Sequence, residues 1–112
     1  MDSSEKRMML ADAIVNQHFK LAKILVEGGV DVNAFTSGLT PLMEASLLPS
    51  LANCDKKFQL LLLLLEYGAD LSAKDTFGRT CLHYAYICGC QRVIRLLQSR
   101  RRMDVLRCCF KF

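Results

Sequence analysis

Apolar residues recur along this chain at helical spacing, in segments separated by turn-forming residues. Leu21, Ile24 and Leu25 are predicted to share one face of a helix, and so are the apolar residues of 93–97. The run 60–65 is leucine throughout, which indicates a helix covered by neighbours on more than one side. The pattern predicts an all-α chain.

Two short motifs recur in the same order around these helices. Residues 27–33 (EGGVDVN) and 66–72 (EYGADLS) each follow an apolar run and offer Gly where a helix would end, because Gly enters the left-handed conformation without steric cost. Residues 38–45 (GLTPLMEA) and 78–85 (GRTCLHYA) each offer Thr, whose side-chain oxygen accepts from a free N–H of a first helical turn. The motifs therefore predict two helix ends and two helix starts.

The spacing of the motifs predicts an insertion in the second unit. Thr40 and Thr80 are 40 residues apart, whereas Met8, at the equivalent place in the first unit, precedes Thr40 by 32. Pro, Ser, Asn and Asp within 48–57 favour a loop between the helices of that unit. Two interpretations stay open for the loop: it carries function, or it is a surface insertion that the fold tolerates.

Each unit reads as an antiparallel helix pair followed by a turn-rich segment, and no single pair buries its apolar face alone. We predict one repeat domain over 1–101, divided into units 5–34, 35–73 and 74–101, and a basic tail of Cys and Phe residues over 102–112.

These motifs resemble the ankyrin-repeat family. The best match is 75–85 (DTFGRTCLHYA), in which Cys81 stands where the family has Pro, and Gly89 follows at the family's inter-helix Gly. The resemblance implies an all-α solenoid of about three helix-turn-helix units with short β-hairpin tips. The third unit has Arg100–Arg102 where the family has Gly-Ala-Asp, so either the stack ends there or the chain is a shortened form of a longer array.

Composition supports a folded domain. Of the 112 residues, 52% are hydrophobic and 23% are charged, which is far from a disordered composition. The N-terminus lacks the layout of a signal peptide, so the six cysteines are expected to be reduced. The longest apolar run is far too short to span a bilayer.

No residue pattern indicates catalysis, and we predict that the chain is not an enzyme and holds no metal or cofactor. Cys81 and His83 are two apart, and such residues point away from each other on a helix. His83 is implied by the resemblance to have a structural role. The six cysteines include no Cys-x-x-Cys pair of the kind that structural zinc uses.

The function we predict is that of a scaffold or adaptor that binds a partner protein, whose identity the sequence does not specify, and no small-molecule substrate. The resemblance implies that partners contact the turn tips and the inner faces of the first helices of each unit. Carried onto this sequence, the binding residues are Ala34, Thr36, Ser37, Leu39, Ser46, Leu47, Lys74, Thr76, Phe77, Arg79, Tyr84, Ile87 and Cys88. Phe77, Arg79 and Tyr84 are the strongest candidates, because aromatic residues and Arg dominate binding energy at interfaces. The alternative for Phe77 is packing on its own hairpin.

A second hypothesis uses the basic end of the chain. Five of the 15 Lys and Arg residues lie in the last thirteen positions, while the net charge is +4. Residues 100–112 would then contact a membrane or nucleic acid, and palmitoylation of Cys108 and Cys109 stays open. We expect a monomer in the cytoplasm and also in the nucleus.

Overall fold

The computed structural model describes residues 3–48 and 54–109, with side chains described over 4–48 and 55–102. Six α-helices account for the regular structure of these residues: α1 Ser3–Val15, α2 Phe19–Glu27, α3 Pro41–Ser46, α4 Cys54–Glu66, α5 Cys81–Cys88 and α6 Gln91–Cys109. Over the same ranges the extended pairing is one isolated antiparallel bridge between Thr36 and Leu39. The all-α prediction is confirmed.

The helices pack in two rows. The first row contains α1, α3 and α5, each in contact with the next, and the second row contains α2, α4 and α6, in contact in the same order. Contacts between α1 and α2, between α3 and α4 and between α5 and α6 join the rows. Helix pairs stacked in this way form the predicted solenoid, with the core between the rows.

Helix starts follow the predicted capping chemistry. The Thr40 side-chain oxygen accepts from the backbone N–H of Met43 at 3.3 Å, and Pro41 occupies the first helical position. At the next unit the backbone N–H of Thr80 donates to Nδ1 of His83 at 3.3 Å. His83 therefore supplies the return bond of a capping box, which is the structural role predicted for it.

Both predicted helix ends occur at glycine. Gly29 and Gly68 have φ angles of 93° and 89°, in the left-handed region that residues with a Cβ rarely adopt. One residue further on, the N–H of Val30 donates to Leu25 at 3.3 Å and that of Ala69 to Leu64 at 3.0 Å. These bonds satisfy carbonyls that the helices leave free at their ends.

The buried face of α2 differs from the prediction. Leu21 and Ile24 are exposed, while Ala22 and Val26 are fully buried. The prediction was wrong because 22 and 26 also share a helical stripe, and contact with the neighbouring helices selects that stripe. In α6 the predicted face is confirmed, since Val93, Ile94 and Leu97 are buried and Leu96 is half-buried.

The predicted loop over 48–57 is shorter than expected, because α4 begins at Cys54. Residues 49–53 lie outside the described residues. Lys57, assigned to the loop from sequence, lies in α4 with 0% of its surface exposed, and its Nζ donates to the carbonyl of Leu48 at 2.6 Å. The ammonium thus ties the start of α4 to the residues that follow α3.

Helix α6 continues through residue 101, at which the third unit was predicted to end. Where α2 and α4 end at a glycine turn, α6 remains helical as far as Cys109. The side chains of residues 103–112, including Cys108 and Cys109, for which palmitoylation was left open, lie outside the described side chains.

Candidate functional site

Two turn tips, formed by residues 34–39 and 74–79, lie side by side at the N-terminal ends of α3 and α5. In the first tip the backbone of Thr36 and Leu39 exchanges two hydrogen bonds of 2.8 and 3.2 Å. A Cβ added at Gly38 would lie 3.6 Å from Oγ1 of Thr76 in the second tip. The tips therefore lie close together, although Gly38 and Thr76 are 38 positions apart in the chain.

Asp75 organises the second tip. Its Oδ1 accepts from the backbone N–H groups of Phe77 at 2.9 Å and Arg79 at 2.8 Å. Its Oδ2 accepts from Nε of Arg79 at 2.9 Å and from the hydroxyl of Tyr84 in α5. One carboxylate thus fixes the hairpin to itself and to a helix of the first row.

The Asp75 bonds place the Arg79 guanidinium between two aromatic rings. Its central carbon lies 4.9 Å from the ring centre of Phe77 and 5.2 Å from that of Tyr84, within the range of cation–π attraction. Phe77 is 80% exposed, so its ring is presented to solvent beside Arg79 and is not packed into the core. The three strongest candidates from sequence form one cluster.

The electrostatics of this cluster favour the charged pair. Burial alone would raise the pKa of Asp75, but the hydrogen bonds from Tyr84, Arg79 and Phe77 outweigh it and hold this pKa well below its ordinary value. The hydrogen bond to Asp75 raises the pKa of Arg79. Burial, followed by the bond to Asp75, raises the pKa of Tyr84, whose hydroxyl stays a donor at neutral pH.

A second polar group lies on the first row and was not among the residues predicted from sequence. Glu44 of α3 is 8% exposed, and no hydrogen-bond donor reaches its Oε1 among the described residues. Burial, and to a smaller extent the charge of Asp12 in α1, raises the pKa of Glu44 from 4.5 to about 7. Glu44 holds in its motif the position that Tyr84 holds in the next, but the sequence pattern does not indicate that a glutamate there is buried.

A family model for ankyrin repeats (many copies) matches residues 48–98. The chain carries ankyrin repeats. A stretch of 76 residues, 67% of the chain, is 37% identical to the human transient receptor potential cation channel subfamily A member 1, of which it covers 6%. The match covers so small a part of that protein that it supports the repeat architecture of the chain and not the activity of the channel. No helix in the described part of the chain is long and apolar enough to cross a membrane.

The predicted binding residues divide by exposure on the ankyrin fold. The exposed ones are Ser37, Lys74, Thr76, Phe77 and Ile87, and the half-buried ones are Thr36, Leu39, Leu47, Arg79 and Cys88.

Ala34, Ser46 and Tyr84 are buried, which is a correction to their assignment as surface residues. The Ser46 hydroxyl donates to the carbonyl of Leu42 at 2.8 Å within α3, and the Tyr84 hydroxyl is used by Asp75. These three side chains are therefore not exposed for contact with a partner.

Asn33 links the first two ankyrin units. Its Nδ2 donates to the carbonyl of Gly68 at 3.1 Å, and its Oδ1 accepts from the N–H of Asp70 at 2.7 Å. Ser72 holds the same place in the next unit, but its hydroxyl donates to Asp70 of its own turn at 2.6 Å. Asn33 therefore bridges the turn that follows α2 and the turn that follows α4, whereas the Ser72 side chain bonds only within its own turn.

Cys81 and His83 contribute to structure. Burial raises the pKa of Cys81 to about 11, so its thiol is protonated at neutral pH. His83 accepts from Thr80 through Nδ1. Among the described side chains no three His, Cys, Asp or Glu residues are grouped as metal ligands.

A groove of about 930 Å³ lies on the second row, between α2 and α4. Leu60 and Leu63 are among its apolar residues, and Lys20, Glu27 and Glu66 are among its charged ones. None of the predicted binding residues lines it, so the tips and this groove are separate surfaces.

Proposed function

We propose that the chain is a non-catalytic module that binds a partner protein through the two turn tips and the adjoining face of the first row. Ankyrin repeats are generally protein-interaction modules, and the family is a non-catalytic fold. The observation that carries the proposal is the exposed ring of Phe77, which stands beside a guanidinium that Asp75 already holds in position.

Preorganisation is the physical reason for choosing this surface. Binding usually costs the freedom of each side chain that becomes ordered, about 0.5–1.5 kcal/mol for a long one. Arg79 has already lost much of that freedom to Asp75, Phe77 and Tyr84. A partner that stacks on Phe77 therefore meets a surface whose geometry is set before contact.

The neighbouring tip extends the surface. Ser37 is exposed, Thr36 and Leu39 are half-buried, and Gly38 of this tip lies close to Thr76 of the other one. A partner segment that lies across both tips would contact residues of two units at once. We propose the cytoplasm, and also the nucleus, as its compartments, because reduced thiols persist there.

Site-specific photo-crosslinking tests the proposal. A photoreactive phenylalanine analogue replaces Phe77 in one variant and Ile24 in the other, a residue that is 65% exposed on the second row. In cells, the Phe77 variant is expected to give discrete crosslinked products with other proteins that the Ile24 variant does not give. Equal products from both positions, or none at Phe77, would contradict the proposed surface.

Alanine substitutions supply the second readout. Phe77→Ala removes an exposed ring without touching the core, and Ile24→Ala is its matched control. The partner crosslinked by the full chain should be recovered at least about tenfold less with Phe77→Ala, as expected for an aromatic residue that dominates an interface. Arg79→Ala is less informative, since Arg79 also bonds to Asp75 and its loss loosens the tip.

A further inference from the structure

Units two and three can be compared position by position, because Thr40 and Thr80 begin equivalent helices. Four residues after each Thr stand Glu44 and Tyr84, and one residue before it stand Leu39 and Arg79. Glu44 and Tyr84 thus occupy the same place in the first row, but the preceding tip offers Leu39 in unit two and Arg79 in unit three.

Unit three contains a complete set of charges. The Asp75 carboxylate is paired with the Arg79 guanidinium at 2.9 Å and accepts from Tyr84. The same guanidinium lies over the Phe77 ring at 4.9 Å. Each polar side chain of this set has its partner within the unit.

Unit two contains a buried carboxyl group, that of Glu44, which is not in an ion pair with any described residue. Glu44 is more than nine-tenths buried, and its Oε1 has no hydrogen-bond partner in the described part of the chain. Leu39 occupies the place of Arg79, so the unit itself supplies no guanidinium there. Burial, and to a smaller extent the negative charge of Asp12, disfavours the ionised form of Glu44 and raises its pKa. A buried carboxyl group left without a donor is costly, and a second negative charge adds to that cost.

We infer that Asp12 and Glu44 form a site for an arginine side chain of the partner protein. This inference rests on the proposed function and names the chemistry of the segment that crosses the first row. Asp12 of α1 and Glu44 of α3 stand four residues after Met8 and Thr40, which hold equivalent places in units one and two, and α1 packs against α3. The exposed Asp12 therefore forms the open end of the site, and the buried Glu44 forms its inner end. The incoming guanidinium pairs with these two acidic groups in unit two, as Arg79 pairs with Asp75 in unit three.

Arginine fits this site better than lysine for two reasons. Its planar guanidinium offers several N–H donors in fixed directions, so that one group can bond to both carboxylates. It also stacks on aromatic rings, and Phe35, which is exposed at the adjacent tip, stands where unit three has Asp75. Lysine offers a point charge without either property.

Selection from a display library of random short peptides tests the inference. The wild-type chain is expected to enrich peptides that share one Arg position. An enriched peptide should lose affinity about tenfold or more when this Arg is changed to citrulline, which keeps the shape but not the charge, because charge-assisted hydrogen bonds are the strong ones. A smaller loss is expected for Lys at the same position.

Variants of the chain complete the test. Glu44→Gln and Asp12→Asn are each expected to lower the affinity for the Arg peptide about tenfold, as loss of a charge-assisted bond predicts, and to remove its preference over the citrulline peptide. Glu66→Gln, which removes an exposed charge from α4, should leave both affinities unchanged. Circular dichroism and thermal unfolding confirm that each variant is folded; Asp12 is exposed, so its variant keeps the test valid even if Glu44→Gln perturbs packing.

Three outcomes overturn the inference. They are enrichment without an Arg preference, an Arg preference that survives both variants, and no enrichment by the folded wild-type chain. The proposed function is judged separately by crosslinking at Phe77, which requires no basic residue in the partner.

Discussion

Replacing Asn33 by alanine removes both hydrogen bonds by which its side chain joins the turn after α2, in unit one, to the turn after α4, in unit two. The bonds are 3.1 Å to the Gly68 carbonyl and 2.7 Å from the Asp70 N–H. A hydrogen bond contributes about 0.5–1.5 kcal/mol net, and because both bonds are exposed, water can replace the lost partner. We therefore expect the free energy of unfolding to fall by about 1–2 kcal/mol.

Urea unfolding followed by circular dichroism measures this loss. For a small domain with a slope of about 2 kcal/mol per molar urea, the midpoint should fall by about 0.5–1 M. The stability of a repeat array is a sum of unit and interface terms, so a weakened interface lowers the stability of the whole.

Ser72→Ala is the matched control, because Ser72 holds the equivalent position and its hydroxyl bonds within its own turn. The backbone N–H of Ser72 keeps its 2.9 Å bond to Asp70 in that variant, so a loss of about 0.5 kcal/mol or less is expected. If Ser72→Ala costs as much as Asn33→Ala, the reasoning that the Asn33 bridge couples two units is refuted.

Three further predictions concern charged groups. Glu44→Gln should stabilise the chain at pH 8 by about 1–3 kcal/mol, because the pKa of Glu44 rises from 4.5 to about 7 on folding. The wild-type chain therefore loses stability as the pH rises through this interval, whereas the Gln variant does not. The advantage of the variant should vanish at pH 4, and an advantage that does not change with pH would contradict this prediction. Asp75 has its pKa lowered on folding, so its contribution is complete above its ordinary value of 3.8 and is lost as the pH falls below it. Melting temperatures of Asp75→Asn should accordingly depend less on acid than those of the wild type, and identical slopes would refute this. Lys57→Met should cost about 1.5–3 kcal/mol in urea unfolding, because the carbonyl of Leu48 loses a charged donor, and Lys56→Met, at an exposed neighbour, should cost far less.

Much of the candidate site could be predicted from the motifs alone. The strongest candidates, Phe77, Arg79 and Tyr84, do lie together around Asp75. Their separation along the chain is small, so local turn geometry brings them within reach. Sequence could not show that Tyr84 is buried and supports the site, since that depends on contact between α3 and α5.

Glu44 was missed for a related reason. A glutamate in a helix is usually solvated, and the motif offers no sign that this one is buried. Its burial, and its position beside Asp12, arise because α1 packs against α3. The buried face of α2 was predicted wrongly for the same reason. The stripe with Leu21 and the stripe with Ala22 both have helical spacing, and only packing against the neighbouring helices decides that Ala22 is the buried one.

The sequence by itself determined where α3 and α5 begin and where α2 and α4 end. Thr40 and Thr80 at helix starts, and Gly29 and Gly68 at helix ends, act through hydrogen bonds between residues only three to five positions apart. Tertiary structure decided what such short-range chemistry cannot reach. The bridge from Asn33 to Gly68 spans 35 positions, and the burial of Lys57 and Glu44 depends on packing around them. These features exist only once the units have stacked, because each joins or covers residues that are far apart in the chain.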